Sequence, residues 1–93
     1  MEKMPWVKIY SILFFEAESN TTIHSNLSSV TINAGAICQI TTDIWRDYVD
    51  EARQASLNEL KRFRVDGTGS WFVGVFEAAE DGDDKELVWE KAA

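Results

Sequence analysis

Apolar positions recur with two different periods along this chain, and the two periods divide it into one helical stretch and several extended ones. From Asp43 to Arg64, Trp45, Val49, Ala52, Ser56, Leu60 and Phe63 fall at spacings of 4, 3, 4, 4 and 3, the repeat of one α-helical face. Ile44, Tyr48 and Ala55 widen that stripe. Thr42 or Asp43 stands where an N-cap is wanted, and Lys61, Arg62 and Arg64 complement the macrodipole at the far end. Arg46/Asp50 and Glu59/Arg62 lie three or four positions apart and should pair on the wet side. The spacing predicts one long helix over 43–64, with Gly67 at its exit.

The remainder reads as strand. Trp6–Ala17 is rich in β-branched and aromatic residues. Glu18-Ser19-Asn20 is a turn, and Leu27–Asn33 and Ala36–Thr41 flank Ala34-Gly35 as a hairpin whose glycine supplies a positive φ. Gly67-Thr68-Gly69-Ser70 is a flexible connection into the strand Ser70–Ala79, and Glu86–Glu90 returns after the turn Asp81-Gly82-Asp83-Asp84. The order β-β-β-α-β-β lacks the alternation a parallel sheet requires. The predicted fold is therefore α+β, a single domain over 1–93: an antiparallel sheet of about five strands with one long helix packed on one face.

Two of these strands break the pattern expected of a sheet covered on one side. The first carries Trp6, Tyr10, Ile12 and Phe14 opposite Val7, Ile9, Leu13 and Phe15. The fourth carries Trp71, Val73 and Val75 opposite Phe72 and Phe76. Both are apolar on both faces, and one helix covers only one. The second face calls for a partner chain, for a loop such as Asn20–Asn26, or for sharp curvature of the sheet.

Composition narrows the class. The chain has 93 residues, 45% hydrophobic and 27% charged, with a net charge of −7, which excludes a disordered tail and argues against a chain built to grip nucleic acid or anionic lipid. Its single Cys makes no internal disulfide, and its single His anchors no His-rich metal site. The apolar run at Trp6–Phe15 is half a membrane span, interrupted by Lys8, and no cleavage-site pattern follows it, so a cytoplasmic protein with no membrane contact is expected. Neither Cys38 with His24 nor the carboxylates in the wet C-terminal segment make a catalytic set, since no orienting third group or apolar pocket accompanies them. No enzyme activity, cofactor or metal is expected.

From Glu77 to Glu90 seven carboxylates stand against Lys85 alone, a local charge of −6 that holds most of the chain's total. Such a hairpin keeps a sheet edge soluble; it also draws a basic surface over a Debye length of about 8 Å. Calcium ligation is disfavoured, because the glycine stands second rather than sixth and Lys85 falls where a ligand is wanted. The partner-binding set expected from the sequence is Glu80, Asp81, Asp83, Asp84 and Glu86 as steering charge, with Trp71, Trp89, Trp6 and Tyr10 as aromatic adhesive.

These features describe a small acidic interaction module, an inhibitor or adaptor for another protein with a basic surface, able to imitate a run of phosphates. Size, acidity and the lack of catalytic apparatus are shared with phage-type anti-defence inhibitors, immunity proteins and antitoxins. Two alternatives stand beside it: a homodimer joined through its aromatic face, and a domain binding a nucleotide-like ligand through Arg62, Arg64 and a sheet Trp.

Overall fold

The structure, a computed structural model, describes residues 8–92. The first strand, β1 (Lys8–Ala17), runs the length of the molecule beside the equally long β7 (Gly69–Ala78), in register from Lys8↔Ala78 to Ala17↔Gly69. On the far side of β7 lies β8 (Lys85–Lys91), with a bulge between Val75 and Phe76. The free edge of β1 is shared by two short strands, β4 (Ile37–Gln39) against Phe14–Glu16 and β5 (Ile44–Arg46) against Ile9–Ser11. Between them the Leu13 carbonyl accepts from the Ile40 N–H at 2.9 Å, and the Leu13 N–H donates to Thr41 Oγ1 at 3.0 Å. The edge of a ten-residue strand is thus satisfied piecewise rather than left open. Together these make the expected antiparallel five-stranded sheet, with one helix on one of its faces.

A second sheet, not expected from the sequence, stands at one end: β2 (Thr21–His24) between β3 (Ser29–Ile32) and β6 (Arg64–Asp66). Three local expectations change with it. The hairpin expected from Leu27–Asn33 and Ala36–Thr41 does not form; β3 pairs β2 and β4 pairs β1, and Gly35, with φ of 87°, turns the chain from one sheet to the other. Ile23 and Ile32 decide this, because pairing β2 with β3 buries both against Phe15 and Ala17. The segment Asn20–Asn26 is therefore mostly strand on the helix side of β1 and covers nothing on the other face. Nor is 67–70 a loose connection: the Thr68 carbonyl accepts from the Glu18 N–H at 2.9 Å, and the Thr68 N–H donates to Ser19 Oγ at 3.0 Å.

The helix itself is shorter than its periodicity. Ile44–Arg46 leaves the predicted stripe to complete the edge of β1, and the helix α1 spans Val49–Asn58, extended by a 3-10 turn over Glu59–Arg62. Neither Thr42 nor Asp43 caps it; extended Tyr48 precedes its first turn, and no side chain bonds there. Arg46, now on a strand, donates to the Trp45 carbonyl instead of meeting Asp50, whereas Arg62 and Glu59 do pair, at 3.2 Å.

What α1 buries is compact. Ile9, Leu13, Ala52, Val73 and Val75 form the main cluster, ringed by Val49, Leu57, Leu60 and Leu87. Its buried hydroxyls satisfy one another: Ser11 Oγ donates to the Ala52 carbonyl at 2.5 Å, so the Ser56 hydroxyl, also at 2.5 Å, donates to Ser11. Phe15, Ala17, Ile23 and Ile32 form a second cluster under the smaller sheet, and Phe63 and Trp71 touch both. Helix and small sheet thus lie side by side on the same face of the large sheet. The molecule is elongated, 44 × 23 × 23 Å.

Candidate functional site: the aromatic face

Side chains alternate along β1, so Lys8, Tyr10, Ile12, Phe14 and Glu16 point away from the helix. Register then places their neighbours. Tyr10 lies between Phe76 and Trp45, Ile12 beside Gly74, Phe14 beside Phe72, and Gly74 beside Trp89. The rings meet in two groups. Tyr10 lies 4.8 Å from Trp45 and 5.3 Å from Phe76, between ring centroids, while Trp89 lies 4.9 Å from Phe14 and 5.5 Å from Phe72. Gly74 joins the groups. A Cβ there would stand 2.8 Å from the Phe76 ring and 3.1 Å from the Trp89 indole, so glycine is what lets both rings lie down over the sheet.

Ile12 and Tyr10 are buried within this layer. It leaves its own outer surface open: Trp45 is 46% exposed, Trp89 40% and Ile37, on the same face at the β4 edge, 51%. Exposed aromatic surface of this kind, rimmed by charge, is the composition of an interface core. Lys8 and Glu86 stand at the two corners of the face next to the acidic turn, and Glu16 and Lys91 at the two corners away from it.

The acidic turn is fastened to this face. The Tyr10 hydroxyl donates to Asp84 Oδ2, and Asp84 Oδ1 accepts from the Ala79 N–H at 2.9 Å. Burial and the neighbouring carboxylate push the Tyr10 phenol up to about 12, and the hydrogen bond from Tyr10 holds the Asp84 carboxyl below its usual range. Asp81 Oδ1 accepts from the Asp83 N–H at 3.0 Å, an Asx turn.

The structure divides the residues expected from the sequence. Tyr10 and Trp89 share the aromatic face, and Glu86 sits on it opposite Phe76. Glu80, Asp81 and Asp83 are exposed in the adjoining turn, while Asp84 is engaged by Tyr10. Trp71 lies on the other face, 5.2 Å from Phe15 and 5.6 Å from Phe63 between centroids, and is half-buried there. Trp6 lies outside the described residues. Trp45 joins the face unannounced, since its spacing fits the helical stripe equally well.

His24 is held at both ring nitrogens, with Nδ1 2.8 Å from Ser29 Oγ and Nε2 2.8 Å from Asp66 Oδ2. Arg62 and Arg64 flank Phe63 at the small-sheet end, away from Trp89. Among the described residues no group of three or more His, Cys, Asp or Glu is placed to hold a metal ion, and no helix is long and apolar enough to cross a membrane. No protein-family model matches this chain, and no curated protein or solved structure matches it.

Proposed function

We propose that the chain is a small protein-recognition module, an inhibitor or adaptor, whose aromatic face is the adhesive and whose acidic turn steers a partner with a basic surface. The observation that carries this is the half-exposed pair Trp45 and Trp89, one in each of the two ring groups of a single sheet face. Aromatic anchors at the centre of an interface carry most of its energy, and rim charges act on the encounter. Glu80, Asp81 and Asp83 are the steering charges; Asp84, bonded to Tyr10 and Ala79, positions the turn. Imitation of a phosphate run belongs to this reading, as does a cytoplasmic setting.

Self-association is a second reading that one observation favours. The corner charges of the face are diagonal, with Lys8 and Lys91 on one diagonal and Glu16 and Glu86 on the other. A two-fold axis in the plane of the face, across the strands, sets Lys8 over Glu16 and Glu86 over Lys91 of a second copy. Four strand positions about 4.8 Å apart and about 30 Å long offer roughly 600 Å² per copy, enough for a modest interface.

Binding kinetics separate these readings. Basic proteins captured by the chain are re-measured with Trp45→Ala plus Trp89→Ala and with Glu80→Gln, Asp81→Asn plus Asp83→Asn. The tryptophan pair should speed dissociation, and the charge variant should slow association about tenfold at low salt. Light scattering at twice the 10.6 kDa chain mass, abolished by the tryptophan pair, identifies the second copy as the occupant. A monomer whose captured partners ignore both variants removes the face and the turn from function.

A further inference from the structure

Three of the nine basic residues, Lys61, Arg62 and Arg64, stand together at the end away from the acidic turn, and they line a cleft. Between the β2–β3 turn and the 3-10 segment that leads into β6 lies an open volume of about 440 Å³. Lys61, Arg62 and Arg64 line it from one segment, His24, Ser25 and Asn26 from the other, and Phe63 lies among the first group. A second volume of about 360 Å³ adjoins it, sharing Ser25, Asn26, Arg62 and Phe63 and adding Leu27. The first half is cationic and polar. The second is apolar.

The cations are oriented but not consumed. Glu59 Oε2 holds Arg62 through Nε at 3.2 Å and leaves both Nη groups of its fork unpaired. Asp66 holds Arg64 through Nη1 at 2.8 Å, and its other oxygen meets His24. Both arginines remain about two-thirds exposed, at 66% and 68%. Lys61 and the Asn26 side chain have no partner within the described residues. Guanidinium forks with free edges beside an ammonium suit a tetrahedral dianion, which accepts several charge-assisted hydrogen bonds at once.

Leu27 supplies the other half of the argument. It is 96% exposed at the tip of the turn, while Phe63 is half-buried against Trp71. Leu27, Phe63 and Arg62 line the apolar volume together, so an apolar ring seated there would take leucine surface out of water. Both volumes fall within the size range of small-molecule sites.

From these features we infer that the cleft binds a small organic phosphate bearing a flat ring, of the size of a nucleoside monophosphate. The phosphate meets Lys61, Arg62 and Arg64, and the ring lies against Leu27 and Phe63. The site is independent of the aromatic face: it lies on the small-sheet side of the molecule and shares no residue with that face.

The test is titration of the isotope-labelled full chain with AMP, and separately with adenosine and inorganic phosphate, followed by backbone amide shifts. AMP should move the amides of Ser25, Asn26, Leu27 and 61–64, and should bind at least tenfold more tightly than either fragment alone, since each fragment fills only one half. Arg62→Gln with Arg64→Gln should weaken AMP about tenfold or more while leaving the melting temperature within a few degrees, both side chains being largely exposed. Leu27→Ser should weaken AMP and leave phosphate binding unchanged. The inference is overturned if AMP binds no better than inorganic phosphate, if the shifts lie elsewhere, or if the double Gln variant binds AMP as the parent does.

Discussion

The two faces of the five-stranded sheet are built from the same strands and solve opposite problems. On the helix side, Leu13, Val73 and Val75 are completely buried among Ala52 and the matched hydroxyls of Ser11 and Ser56, so small residues admit a close helix. On the other side, Trp45 and Phe76 meet over Tyr10, and Phe14 and Phe72 meet Trp89, with Trp45 and Trp89 half-exposed. The first face is closed by complementary shape, as protein interiors are. The second is packed onto the sheet below it and leaves Trp45 and Trp89 half-exposed above. Fold stability needs the first; the second, with Trp45 and Trp89 half-exposed, is the surface that the proposed function leaves for a partner.

The sharpest way to break that contrast is the same deletion on each side. Leu13→Ala leaves a cavity under α1 and should cost about 2–5 kcal/mol in denaturant unfolding. Trp89→Ala removes a larger side chain, yet one already 40% in water, and should cost distinctly less than a buried Trp, for which truncation costs about 3–5 kcal/mol. Equal losses would mean that the aromatic layer is core, and its exposure would then carry no functional meaning.

A second substitution probes how the ring layer is laid. Gly74→Ala puts a methyl 2.8 Å from the Phe76 ring and 3.1 Å from the Trp89 indole, while the helix side of β7 is untouched. Overpacking costs about 1–3 kcal/mol where nothing can move, but these rings have open space above them. The expected result is a loss near the lower end, a changed near-ultraviolet circular dichroism from the displaced indole, and weakened partner or self association. An unchanged aromatic spectrum would show that Trp89 does not lie over Gly74.

The large sheet was readable because its long strands announce themselves: Lys8–Ala17 and Gly69–Ala78 are β-branched and aromatic along their length, and their two-sided apolarity already marked the second face. What stayed hidden has a common cause. Ile44–Arg46, Thr21–His24 and Arg64–Asp66 are three or four residues each, too short to show a period, and each is strand only because a distant edge lies unpaired beside it. Trp45 fits a helical stripe by spacing and an aromatic face by pairing, and pairing with Tyr10 is a non-local fact. The acidic turn was readable as charge. That Asp84 is engaged by Tyr10 was not, because the bond joins residues 74 positions apart.

That bond supplies the smallest effect and the finest test, since it ties the acidic turn to the aromatic face. The Tyr10 phenol is raised from 10.0 to about 12, by burial first and by Asp84 second. A raised folded value means the stabilisation is fully present below the ordinary value and is lost as pH climbs through the folded one, here between about 10 and 12. Asp84 works in the opposite sense: its folded value lies below the ordinary 3.8, so its contribution is present above that pH and lost as pH falls further. Tyr10→Phe keeps the ring, its contacts with Trp45 and Phe76, and removes the donor. The variant should melt a few degrees lower at neutral pH, and the difference from the parent should shrink below pH 3.8 and above pH 10. A difference that stays constant across the whole range would show that the hydroxyl contributes by packing alone and that the turn is held by the Ala79 contact to Asp84.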